Sequence, residues 1–134
     1  MRLKEKHRAL LVEDELISQK AQKKMLEDFG FKVDVASTAT EGLDLLHEIA
    51  FKPFERGYDV IFMDIGLPDI KGDVLTEVIR QTEEQVKLIP IIAVTGRKIT
   101  DADKEFFAKM GITDIIIKPM TSDTLKLVLS KYLS

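Results

Sequence analysis

Polar side chains end the apolar runs of this chain in four places. Glu13 and Asp14 follow "ALLV", Asp64 follows "VIFM", Thr95 follows "IIAV" and Lys118 follows "III". An ionised group at the end of a core strand carries a desolvation cost unless a partner or solvent compensates it, and a lysine ending a buried strand needs an anion. If these ends meet, three carboxylates repel one another, and a hard divalent cation with oxygen ligands relieves the repulsion. Mg²⁺ typically takes one or two carboxylates and keeps several waters. A carboxylate beside such an ion can attack phosphorus, with metal, ammonium and hydroxyl neutralising charge on the phosphoryl oxygens. Asp64 would be the nucleophile, with Lys118 and Thr95 as its helpers.

The elements that must bring these groups together follow from periodicity. Short apolar runs alternate with amphipathic segments, which marks βα units and a parallel sheet. "RALLVE", "FKVDVAS", "YDVIFM", "LIPIIAVT" and "TDIIIK" read as five strands, with Pro90 near the start of the fourth. Ile17, Ala21, Met25 and Phe29 repeat at every fourth position, which predicts a helix with that stripe buried and Gly30 as its stop. Ala39, Leu43, Leu46 and Ala50 mark a second helix behind a Ser37/Thr38/Thr40 cap cluster, and Val74, Leu75, Val78 and Ile79 a third. Thr100 or Asp101 caps a fourth, and Leu125, Val128, Leu129 and Tyr132 line a fifth. The order is (βα)₅. In an open parallel sheet, functional groups gather beyond the carboxyl ends of the strands at the switch point of strand order.

Composition narrows the function classes. The 134 residues, 45% of them hydrophobic and 32% charged, suit one domain with one sizeable core. Residues 1–7 are expected to form an N-terminal tail and 8–134 the domain. A balance of 20 basic against 23 acidic residues, net −3, argues against direct nucleic-acid contact. The chain has no cysteine, so thiol catalysis, thiolate metal sites and disulfides are excluded. Its apolar runs fall far short of the ~20 residues that span a bilayer, and "MRLKEKHR" lacks a signal-peptide core. A soluble, unprocessed, cytoplasmic protein is expected, with no effector domain after the fifth helix and with His7 and His47 exposed.

"LLVEDE", "IFMDIGLPDIKG", "IIAVTG" and "IIIKP" together resemble the receiver domain of two-component response regulators, in order and spacing, across nearly the whole chain. The resemblance implies a flavodoxin-like three-layer fold with strand order 2-1-3-4-5. It implies that Asp64 accepts a phosphoryl group from a partner phosphohistidine, on a sensor histidine kinase or a histidine-phosphotransfer protein. Asp14, Asp64 and the backbone carbonyl of Gly66 would bind Mg²⁺, with Glu13 assisting through water, while Thr95 and Lys118 contact the phosphoryl group and the Lys118-Pro119 bond is cis. "MDIGLPDIKG" is similar to the receivers of hybrid kinases, which pass the group on. Such a domain turns over no substrate beyond its own acyl phosphate. One position departs from the family: Ile115 stands where a Tyr or Phe usually reports phosphorylation. The loop after Thr95 is therefore expected to carry the response, and the surface around the fifth strand less of it.

Each residue also has a structural role open to it when taken alone. Glu13, Asp14 and Glu15 could cap the first helix, whose dipole favours acidic groups there. Asp64 could be a turn residue before Pro68, and Thr95 a strand-end cap. Glu77, Arg80, Glu83, Glu84 and Lys87 read as the solvated face of the third helix. Two other functions compete. An aspartyl-nucleophile hydrolase of the haloacid-dehalogenase type wants a second acid two residues after the nucleophile, where this chain has Gly66. A phosphorylation-independent adaptor of the same fold would have lost an acidic, hydroxyl or lysine position, and none is missing.

Overall fold

The computed structural model describes residues 7–50, 57–67, 70–82 and 89–133. Strand and helix alternate along them: β1 (Arg8–Val12), α1 (Leu16–Asp28), β2 (Lys32–Ala36), α2 (Ala39–Ala50), β3 (Val60–Asp64), α3 (Gly72–Thr82), β4 (Ile91–Thr95), α4 (Asp101–Met110), β5 (Asp114–Ile117) and α5 (Ser122–Tyr132). The strands form one parallel sheet in the order β2-β1-β3-β4-β5. Strand order reverses between β1 and β3, so the crevice of such a fold opens over their carboxyl ends. The register levels those ends. Val12 lies beside Met63, Asp64 beside Val94 and Thr95 beside Ile117.

Side chains alternate across each strand, and both faces of the central strands are covered, which is why Ala9–Val12, Val60–Met63 and Ile91–Val94 read as apolar runs while the edge strand β2 alternates polar and apolar. Ala9, Leu11, Phe62, Val94 and Ile116 pack with Leu26 of α1 and Leu125, Val128 and Leu129 of α5. Leu10, Val12, Ile61, Met63 and Ile91 pack on the other face with Leu46 of α2 and Leu75 and Ile79 of α3. A smaller cluster joins Ile65 and Ala93 to Phe107 of α4 and Ile112.

The helix ends follow local chemistry. Thr100 caps α4, with its hydroxyl accepting the Asp103 N–H and the Asp103 carboxylate accepting the Thr100 N–H. Thr121 and Thr124 do the same for α5. At α2, the Thr38 hydroxyl accepts the Glu41 N–H at 3.1 Å. After α1 and α4 the chain turns through Gly30 (φ 104°) and Gly111 (φ 106°), a left-handed conformation that favours glycine.

Several expectations are corrected. The buried face of α1 runs through Gln22 and Leu26, whereas Ile17 is 77% exposed and Ala21 is also exposed. A four-residue repeat gains about 40° per step on a 3.6-residue helix, so that stripe spirals off the core. Arg80 is not on a solvated face, because its guanidinium donates to the Gly111 carbonyl at 3.1 and 2.9 Å. His7 is half-buried, edge-on to Phe31, and its carbonyl accepts the Lys32 N–H. On α3, Leu75 and Ile79 are buried as expected but Val74 is 41% exposed. Pro68, Glu83, Glu84 and Lys87 lie outside the described residues. Among the described residues no helix is long and apolar enough to cross a membrane.

Candidate functional site

Asp64 ends β3 almost fully buried, and its Oδ1 accepts the Gly66 N–H at 2.9 Å. Glu13, one residue past β1, is completely buried, while Asp14 is exposed at the rim. One carboxylate oxygen from each of Glu13, Asp14 and Asp64 lies within 4.8 Å of the others. The Lys118 ammonium sits 2.6 Å from Glu13 Oε1 and 3.8 Å from Asp64 Oδ2. Thr95 is buried at the end of β4, its Oγ1 accepting the Arg97 N–H at 3.3 Å and its carbonyl accepting the Lys118 N–H at 2.8 Å. The peptide bond from Lys118 to Pro119 is cis, as the resemblance implied. The capping of α1 falls to Glu15, whose carboxylate accepts from Ile17 and Ser18. Glu13 and Asp14 therefore converge on Asp64 rather than serve as that helix's N-cap.

The electrostatics of the three carboxylates differ. Burial, reinforced by the nearby Glu13 and Asp14, pushes the Asp64 carboxyl up to about 7, against the pull of the Gly66 N–H. Burial would raise Glu13 as well, but its bonds from Lys118, Asp64 and the Glu15 N–H outweigh that and bring it down to about 2. Glu13 thus stays ionised near neutral pH, while Asp64 resists ionisation and is only partly protonated there. Three converging carboxylates beside one ammonium leave an excess of negative charge on oxygen ligands, which is chemically matched to a hard divalent cation.

Comparison with known proteins bears on the same residues. The family model of the response regulator receiver domain matches residues 9–130. The chain belongs to that family. Receiver domains of this family serve two-component signalling. Transcription factor SKN7 of Candida albicans is 36% identical over 128 residues, 96% of this chain and 21% of that protein. Hybrid signal transduction histidine kinase I of Dictyostelium discoideum is 37% identical over 114 residues, 84% of this chain and 6% of that protein. The receiver domain thus spans about a fifth or less of the length of these relatives. Among solved structures, the receiver domain of a Pseudomonas aeruginosa sensor histidine kinase, with a magnesium ion coordinated in its active-site cleft, is similar at TM-score 0.75 and 28% identity. That match covers 94% of this chain and 96% of that one. Chemotaxis protein CheY4 of Vibrio cholerae, at TM-score 0.83, 24% identity and coverage of 95% and 98%, shares the fold.

Around the receiver site stand residues that the sequence reasoning missed. Ser18 and Gln22, one turn apart on α1, both bond Glu13 Oε1, at 3.0 and 2.9 Å. Gln19 Nε2 reaches the Glu13 carbonyl at 2.9 Å. The apolar pattern carried no signal for them, since serine and glutamine read as surface residues by type. Gly72, at the start of α3, lies so close to β3 that a Cβ there would strike the Asp64 carbonyl oxygen. Ile115 is half-buried against the cluster of Ala93, Phe107 and Ile112, and lines a cavity of about 800 Å³ beside α4.

Proposed function

We propose that this receiver domain takes a phosphoryl group onto Asp64 from a phosphohistidine of a sensor kinase or histidine-phosphotransfer protein, and then signals it or passes it on. The observation that carries this is the Asp64 carboxylate at the switch point, with Lys118 at 3.8 Å and two further carboxylates within 4.8 Å. Asp14, Asp64 and the Gly66 carbonyl would hold Mg²⁺, with Glu13 assisting through water. When bound, the ion supplies positive charge that lets Asp64 ionise and that screens the phosphoryl oxygens. An Asp64 oxygen attacks phosphorus as the carboxylate. The P–N bond breaks with its electron pair returning to the imidazole nitrogen, and the ring leaves neutral because its other nitrogen carries a proton. Lys118 and the Thr95 hydroxyl then face the oxygens of the transferred group, which lie where negative charge is greatest. With Ile115 in place of a ring, the response passes through the loop after Thr95, whose Arg97 N–H now rests on the Thr95 hydroxyl.

With a small phosphoryl donor and Mg²⁺, intact-mass measurement should show one added phosphoryl group, absent in Asp64→Asn. The same increment at the same level in that variant refutes the assignment.

The partner is read from the rim. Leu16 and Ile17, at the start of α1, are 59% and 77% exposed, and apolar groups left in water beside a reactive site mark a protein contact. The acidic balance of the chain favours a protein partner over DNA, whatever the transcription-factor relatives bind elsewhere in their length. Ile17→Glu should slow transfer from a phosphohistidine protein about tenfold, the effect of one well-placed contact. Phosphorylation by a small donor should keep its rate. Equal slowing with both donors would place the fault in the chemistry instead of the docking.

A further inference from the structure

The Glu13 carboxylate is more completely tied down than a solvent-bridged metal ligand needs to be. Its Oε2 accepts the Glu15 N–H at 3.1 Å, and its Oε1 accepts from three side chains: Lys118 at 2.6 Å, Gln22 at 2.9 Å and Ser18 at 3.0 Å. A carboxylate has about four acceptor sites, and these donors, with the Asp64 carboxyl as a further partner, leave none of them vacant. Gln22 Nε2 also donates to Ser18 Oγ at 2.8 Å, closing a triangle of Gln22, Ser18 and Glu13.

The orientation of the Gln22 amide shows what it serves. Gln22 is buried, and its Oε1 is a buried acceptor with no hydrogen-bond partner. Leaving such an atom unpaired is costly. The opposite orientation would turn that carbonyl towards the Glu13 carboxylate, repelling it and removing two donors. The side chain gives up its own acceptor in order to feed Glu13.

We propose that Gln22 and Ser18 are positioning residues for phosphoryl transfer. By fixing Glu13 Oε1 they fix the Lys118 ammonium that rests on it, and keep that ammonium 3.8 Å from Asp64. If Glu13 could rotate, Lys118 would be free to collapse onto Asp64, where it would mask the nucleophile and abandon the position from which it meets the incoming phosphoryl oxygens. Neither Gln22 nor Ser18 touches the reacting atoms. Both act through Glu13.

This inference rests on the reading that Asp64 takes the phosphoryl group, and the test separates the two. Phosphorylation by a small donor is followed by intact mass at saturating donor, across a Mg²⁺ titration, for wild type, Gln22→Leu, Ser18→Ala, Glu13→Gln and the combinations with Glu13→Gln. Gln22→Leu should lower the saturated rate about tenfold, and Ser18→Ala about threefold, the scale of a reacting group held slightly out of place. The Mg²⁺ concentration for half-saturation should move far less than the rate, because Asp14, Asp64 and the Gly66 carbonyl are untouched. In the Glu13→Gln background neither substitution should cost anything further, because the oxygen they hold has changed. A general loosening of α1 would slow both backgrounds alike. Additive losses, an unchanged rate in Gln22→Leu, or a shift confined to the Mg²⁺ midpoint would each overturn the proposal while leaving Asp64 as the acceptor. A wild-type chain that takes no phosphoryl group at Asp64 removes the reading beneath it, and the proposal with it. Should Gln22→Leu not fold, Ser18→Ala alone, compared in the same pair of backgrounds, decides the question: a loss confined to the Glu13 background supports the proposal, and an equal loss in both overturns it.

Discussion

Lys118→Met should destabilise the receiver domain by about 3 kcal/mol at pH 7, and the deficit should shrink as the solution is acidified. Glu13 is wholly buried, and Lys118, with its side chain 23% exposed, is the cation bonded to it at 2.6 Å. Removing one partner of a buried pair leaves an uncompensated charge, a loss of roughly 3–5 kcal/mol. Ser18, Gln22 and the Glu15 N–H still donate to Glu13, which places this case at the lower end. In wild type the Glu13 carboxyl is brought from 4.5 to about 2, so its stabilisation is present above pH 4.5 and is lost as the pH falls towards 2. In the variant the pull of Lys118 is gone while burial still opposes the charge, so the carboxyl rises from about 2 and takes up its proton at higher pH than in wild type. Protonation then relieves the buried charge, and the gap between the two proteins narrows in acid. Urea unfolding at pH 7 and at pH 4 reads both effects. An unchanged midpoint at pH 7, or a gap that widens at pH 4, would mean that Glu13 does not depend on Lys118.

The strand ends were legible in the sequence because doubly covered parallel strands have no polar side chains until they stop. Glu13, Asp64, Thr95 and Lys118 stood out for that reason, and the structure puts Asp64, Glu13 and Lys118 in one cluster. Strand order was not legible from periodicity; it came with the family resemblance. The missed residues share a different cause. Gln22 reads as a surface residue by type, and it is buried only because Glu13, nine positions earlier, gives its amide an acceptor. Arg80 has the sequence context of a solvated residue on α3, and the turn at Gly111, distant in sequence, supplies it with a carbonyl partner. The need for glycine at position 72 lies in how closely α3 starts against the Asp64 backbone. Pairings of this kind are set by tertiary placement, to which a local apolar pattern is blind. Ile17 misleads through its period, since a strict four-residue repeat does not stay on one face of an α-helix.

Asp14→Asn should raise the stability of the metal-free protein at neutral pH and leave it little response to Mg²⁺. Burial and the neighbouring carboxylates push Asp64 from 3.8 up to about 7, with Asp14 among the groups pushing. A raised carboxyl contributes stability that is fully present below pH 3.8 and is lost as the pH rises through about 7. The metal-free wild type should therefore weaken between those values, the reverse of the Glu13 trend at lower pH. Neutralising Asp14 removes one source of repulsion, lowers Asp64 towards its ordinary value and lessens that loss. Because Asp14 is exposed and its charge is screened by solvent, the gain is held to about 1 kcal/mol or less. Mg²⁺ acts in the other direction on the pair. It should stabilise wild type by mass action, and the variant little, since one of the proposed ligands is gone. If Asp14 served only the helix dipole of α1, asparagine would be neutral or slightly destabilising and the Mg²⁺ response would survive. Unfolding of both proteins at about pH 7.5, above the raised Asp64 value, in EDTA and in millimolar Mg²⁺, distinguishes the cases. A variant that is weaker than wild type in EDTA and gains as much from Mg²⁺ would remove Asp14 from the metal site.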